Sequence, residues 1–235
     1  MRLTTISLLI LFFASTLSAQ NFSTMINNEN IAWLRDYTIT TADGDVYETE
    51  KLSSYSAANG RLKSLSFKTK DGVKHKLKAD EISEVRARLT KFAKAATISD
   101  NATKSIKSAV TTDYAGIIAE NLVRFNSVEY NKKKGKKAML QLINWGFDQK
   151  LKVYPDPASE SGTTSVTGIA VSGGQIKSYF IVKGDQTFTV NKKSYKKLYN
   201  GIYGDCSEME VNPKSITIKN LAQDILKYNS SCNTK

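Results

Sequence analysis

One histidine, two cysteines, two close pairs of acids and a run of lysines hold most of the chemistry this chain can offer. His75 is the single imidazole, so any histidine-based acid–base catalysis rests on it alone. The sequence contains no G-x-S-x-G, H-E-x-x-H, P-loop or calcium-loop pattern. Carboxylates alone can run a glycosidase, and Asp80 with Glu81 or Glu208 with Glu210 are the candidates. Adjacent acids at the ends of helices and strands are ordinarily solvated, so no catalytic, cofactor-binding or metal-ligating residue is assigned. The densest basic stretch is "VEYNKKKGKKAM", with Lys132, Lys133, Lys134, Lys136 and Lys137 around Gly135. It reads either as a solvated loop or as an anion-contact loop for phosphate-bearing lipid headgroups or acidic polysaccharide. Single-stranded nucleic acid needs aromatics interleaved with basic residues for stacking, and Tyr130 is the only one nearby, so nucleic acid is not expected.

The element that must position His75 is a hairpin. In "LSFKTKDGVKHKLKADEI" the odd positions Leu65, Phe67, Val73, His75 and Leu77 carry the apolar character and the even positions carry lysines. That is period-two alternation on both sides of Asp71-Gly72. A two-residue turn would mix the faces. A three-residue loop, Lys70-Asp71-Gly72, pairs Phe67 with His75, Leu65 with Leu77 and Lys68 with Lys74, with Gly72 at positive φ. His75 is thereby expected on the apolar face, as a packed histidine rather than a general base. The same device predicts Tyr37 and Ile39 matched with Tyr47 and Thr49 across Ala42-Asp43-Gly44. It also predicts Phe180 and Val182 matched with Phe188 and Val190 across Gly184-Asp185-Gln186.

Other segments change period. Ile82, Val85, Leu89 and Phe92 recur at helical spacing, and Asp80, Glu81, Lys91 and Lys94 suit the ends of such a helix. A second helical reading runs from Thr103 to Phe125 through Ile106, Val110, Ile117 and Leu122. "AMLQLINW" fits helix or strand, and "KLKVYPDP" reads as a strand ended by prolines. Two helical faces close the chain: Tyr195, Leu198, Tyr199 and Ile202, then Ile218, Leu221, Ile225 and Tyr228. The expectation is an α+β fold, with antiparallel β-hairpins covered by helices and an α-rich, disulfide-closed C-terminal part.

The first residues, "MRLTTISLLILFFASTLSAQ", combine Arg2, an apolar run from Ile6 to Ala14 and small residues at Ser18-Ala19. They read as a signal peptide over residues 1–19, the alternative being an uncleaved N-terminal anchor. The run is short for a membrane span, and no other segment is apolar enough to cross as a helix. Residues 20–125 then hold the first hairpins and helices and residues 126–235 a C-terminal α+β part, as two units or as one continuous domain. The chain has 34 basic and 22 acidic residues. Losing Arg2 with the signal peptide leaves an excess of +11, which favours anionic partners. In an exported chain Cys206 and Cys232 are most simply one disulfide, the alternative being two free buried thiols. Closing that loop contributes about 3.5 kcal/mol in the chain-entropy account.

"DVYETEKL" with "SLSFKTKDGVKHKLKADEI", then "QLINWGFDQKLKVYPDP", then "YKKLYNGIYGDC" with "LAQDILKYNSSC" resembles a broad group of exported proteins of Bacteroidota. The resemblance implies a location in the periplasm, at the cell surface or outside the cell, and supplies no catalytic residues. The expected function is that of a non-enzymatic envelope or secreted protein binding an anionic lipid, polysaccharide or acidic protein. A carboxylate-based hydrolase of the cell envelope is the alternative.

Overall fold

The computed structural model describes residues 22–23, 25–26, 28–91, 122–131, 134–159, 164–166, 169–172 and 176–232. The expected signal peptide, most of the 103–125 helical reading, and Lys132 and Lys133 lie outside them.

Eight strands build a curled, half-barrel sheet: β1 (Arg35–Thr41), β2 (Val46–Thr49), β3 (Leu52–Ser56), β4 (Leu62–Lys68), β5 (Lys74–Lys78), β6 (Ile82–Arg88), β7 (Leu122–Asn131) and β8 (Lys136–Gln141). Their order is β2-β1-β6-β7-β8-β4-β3, with β5 also on β4, and every pairing is antiparallel. Inside the curl lie Tyr37, Ile39, Leu65, Phe67, Val85, Phe125 and Met139. Ile31 and Leu34, from a 3-10 turn at Asn28–Trp33 and the residue after it, join this core, and Tyr37 Oη sits 2.7 Å from both of their carbonyl oxygens. Each fully buried side chain of this size contributes roughly 1.5–3 kcal/mol.

A second sheet, β13 (Gln186–Asn191), β12 (Ser178–Lys183) and β9 (Leu151–Pro155), is apolar on both faces. Tyr154 and Phe180 meet Val128, Ala138 and Leu140 on the outside of β7–β8. Leu151, Val153, Ile181 and Val190 face helices α1 (Tyr195–Tyr203) and α2 (Leu221–Ser231). The layers are therefore curled sheet, three-stranded sheet, helix pair. A separate hairpin pairs β10 (Thr164–Val166) with β11 (Ile169–Ser172). β7 runs across residues 125 and 126. Cys206 and Cys232 are bonded, with their Cα atoms 5.5 Å apart, and close the segment that carries α2.

Two hairpins have the expected register. Phe67 opposes His75, Leu65 opposes Leu77 and Lys68 opposes Lys74, around a loop with Gly72 at φ +91°. Tyr37 opposes Thr49 and Ile39 opposes Tyr47, with Gly44 at φ +95°.

Four expectations need correction. The third hairpin has a two-residue turn at Gly184-Asp185, so Lys183 opposes Gln186, Phe180 opposes Thr189 and Ile181 opposes Phe188. Face matching had no force there because both faces are covered. The helical reading beginning at Ile82 gives way to strand β6. A β-bulge at Ser83 shifts the pairing between Thr40↔Glu84 and Thr41↔Ile82, so Ile82 and Val85 both turn inward at helix-like spacing. The Ser83 hydroxyl lies 3.1 and 3.0 Å from the Thr40 and Thr41 carbonyl oxygens. Leu122 and Phe125, from the end of the second helical reading, belong to strand β7. Finally, the C-terminal part is not α-rich: α1 and α2 have 9 and 11 residues and lie against strands.

Candidate binding surface

Outward alternation in β3, β4 and β5 assembles side chains into cross-strand rows. Ser53, Ser66 and Lys76 form one row, and Tyr55, Ser64 and Lys78 the next. Lys68 opposite Lys74 adds a third at the hairpin end. The result is a column of serine hydroxyls beside a column of lysines, with the Tyr55 phenol ring 65 % exposed at the rim. A shallow depression of about 330 Å³ is lined by Ser53, Ser54, Tyr55, Ser64, Ser66 and Lys76. Lys68, Lys74, Lys76 and Lys78 are exposed, and among the described residues no carboxylate forms an ion pair with any of them. The arginines of the neighbouring outer face differ. Arg124 donates to Glu84 Oε1 at 2.8 and 2.6 Å, and Arg86 donates to Glu84 Oε2 at 2.5 Å. Burial pushes the Glu84 carboxyl up, and the two guanidinium groups more than reverse this, holding it below its ordinary value.

Beyond the Tyr55–Ser64–Lys78 row, β4 bulges at Lys63, because Tyr55 opposes Ser64 while Ser56 opposes Leu62. Lys63 reaches over the seam between the two sheets. Its Nζ donates to Tyr130 Oη at 2.9 Å and to the Lys137 carbonyl at 3.3 Å. Arg61 lies over the Tyr130 ring, with Cζ 4.0 Å from the centroid and 5.8 Å from that of Phe180. Asp156 fixes the guanidinium: its Oδ1 accepts Nε at 3.2 Å and Nη2 at 2.8 Å, in a pair only 14 % and 10 % exposed. Partial burial pushes the Tyr130 phenol up, but the Lys63 hydrogen bond and the charges of Lys63, Arg61 and Lys136 outweigh it. The net shift is below the ordinary phenol value.

Of the five lysines proposed for anion contact, Lys132 and Lys133 fall outside the described residues. Lys134 is exposed in the turn, and Lys136 and Lys137 open strand β8. Lys136 stands opposite Asn131, the residue after Tyr130, and Lys137 stands opposite Glu129. His75 stacks on Phe67 at a ring-centroid distance of 5.1 Å, and Tyr47 packs tilted against both rings, 4.5 Å from His75 and 5.6 Å from Phe67. Glu81 accepts the Lys78 backbone N–H at 2.6 Å, and Asp80 is exposed. Glu208 lies beside the cystine sulfurs, which are committed to each other. A second depression is lined by Arg35, Arg88, Leu89 and Leu122, and neither depression has a carboxylate among its described lining.

The lysine column was legible from alternation, and Ser64 and Ser66 share its parity. Ser53 and Tyr55 join it only through the β3–β4 register. Arg61 and Lys63 could not be connected to Tyr130 by any local pattern, since the contact crosses three strands. No protein-family model, curated protein or solved structure matches this chain.

Proposed function

We propose that this is an exported, non-enzymatic binding protein whose ligand is an acidic polysaccharide held on the β3–β4–β5 face. The observation that carries this reading is the column of lysines, without ion-pair partners among the described residues, beside the serine column and the exposed Tyr55. Lys74, Lys76 and Lys78 recur about every 6.8 Å along their strand. A ladder of evenly spaced cations suits a polymer with evenly spaced carboxylates better than a single lipid headgroup. Serine hydroxyls match sugar hydroxyls, and a phenol ring offers a sugar a flat stacking surface. The excess of basic residues adds long-range attraction that salt weakens. Export is supported by the cystine, which belongs to an oxidising compartment. No helix among the described residues is long and apolar enough to cross a membrane.

The test is binding of polygalacturonate against neutral dextran, with a salt titration, for the mature chain and for a variant with Lys68, Lys74, Lys76 and Lys78 all changed to Ser. The expected outcome is binding of polygalacturonate alone, weakened by salt and lost in the variant. Undiminished binding by the variant would reject this face. Preference for anionic vesicles would move the reading to lipid. New reducing ends in the polymer would replace it with the hydrolase.

A further inference from the structure

Tyr130 stands apart from the other tyrosines with polar partners among the described residues. Tyr195 donates to Asp224 and Tyr228 to Asp205, both carboxylates. Tyr130 accepts from Lys63 instead, and among the described residues nothing accepts its own proton. The ring is held from one side by Arg61, which Asp156 locks in turn, so the hydroxyl has a fixed position. Lys136 opens β8 opposite Asn131, the residue after Tyr130, and supplies a further positive charge there. A fixed O–H donor flanked by two ammonium groups is complementary to a carboxylate, which accepts from all three. The location fits as well: Lys63 directly precedes Ser64 of the Tyr55–Ser64–Lys78 row in the chain, so the seam continues the serine and lysine columns around the sheet.

We infer that Tyr130, Lys63 and Lys136 form a subsite for one carboxylate group of the glycan. This rests on the proposed glycan-binding face and adds to it a point of registration: the columns attract the polymer, and the seam seats one uronate unit. The Tyr130 O–H donates to one carboxylate oxygen, and Lys63 and Lys136 neutralise the charge. Nothing is cleaved and no bond is made.

The experiment uses the mature chain and Tyr130→Phe, with galacturonate monosaccharide and polygalacturonate as probes and glucose as control. Phenylalanine keeps the ring under Arg61, so the variant is expected to fold, and circular dichroism checks this. Ultraviolet difference absorbance of tyrosinate should show one tyrosine titrating early in the parent chain and missing in Tyr130→Phe. Saturating galacturonate should move that titration upward, because the carboxylate binds only the protonated phenol, and glucose should leave it in place. Tyr130→Phe should weaken polygalacturonate binding roughly tenfold, the worth of a hydrogen bond to a charged acceptor. An early titration that galacturonate fails to move overturns the subsite, as does unchanged polymer affinity in Tyr130→Phe. The broader reading fails separately. If galacturonate moves the titration while the fourfold lysine variant binds polymer like the parent, the seam stands and the lysine column does not.

Discussion

His75 and Phe67 face each other across the β4–β5 hairpin with their rings 5.1 Å apart and 15° from parallel. Tyr47 packs against both, 4.5 Å from His75 and 5.6 Å from Phe67. The lone imidazole is thus one member of a cluster of three rings in mutual contact. His75→Asn should destabilise the chain by about 1 kcal/mol, the scale of one aromatic pair, and leave polygalacturonate affinity unchanged. Urea unfolding and a binding titration on the same preparation check both halves; a loss of affinity without a loss of stability would contradict the packing role.

Asp156→Ala strands the Arg61 guanidinium at the seam with its charge uncompensated. The expected loss is about 3 kcal/mol, typical of breaking a buried pair from one side. Replacing both partners, Arg61→Met with Asp156→Leu, should recover most of it. A double variant as unstable as Asp156→Ala would show that the pair itself, rather than the orphaned charge, supplies the stability.

Asp224 gives the protein an identifiable pH dependence. Burial pushes its carboxyl up, and Tyr195 and Lys227 pull it only partly back. The folded state therefore holds this proton more tightly than the unfolded chain does. Its contribution is fully present below about pH 4, the ordinary carboxylate value, and is lost as pH rises through the elevated folded value. Asp224→Asn, whose amide oxygen still accepts from Tyr195, removes that loss. Its stability relative to the parent should climb between acid and neutral pH in thermal melts. A constant difference across that range would mean Asp224 titrates normally.

The cystine prediction is direct. Alkylation without reductant should label neither Cys206 nor Cys232, and changing both to Ser should lower stability by about 3.5 kcal/mol in the loop-entropy account. A single labelled thiol in mature protein would contradict the closed loop.

Export is checked at the N-terminus. Protein recovered from a Gram-negative host should begin near Gln20, and a stable product that begins at Met1 would contradict a cleaved leader.

Local alternation made the first two hairpins readable because each has one apolar face, and a one-residue slip would turn that whole set to water. The same rule misled at Phe180 and Ile181, adjacent residues that are both buried because each faces a different layer. At Ile82 and Val85 a single bulged residue, Ser83, turned strand periodicity into an imitation of a helix. The proposed binding surface divides the same way. Its lysine column lies along one strand and is visible in the sequence, whereas Arg61, Lys63, Tyr130 and Asp156 come from separate elements and meet only in the tertiary fold.

The strip formed by Val128, Ala138 and Leu140 on the outside of β7–β8 is covered by residues that come later in the chain, Tyr154 and Phe180. During synthesis Leu140 emerges about 40 residues before Phe180, a gap of several seconds at ordinary elongation rates. For that interval the strands of the half-barrel are complete, yet one apolar strip on their outer surface faces solvent. A nascent chain stalled between these points would be a client for a holding chaperone. Protection of the strip would begin with the arrival of β9 and be complete only with β12.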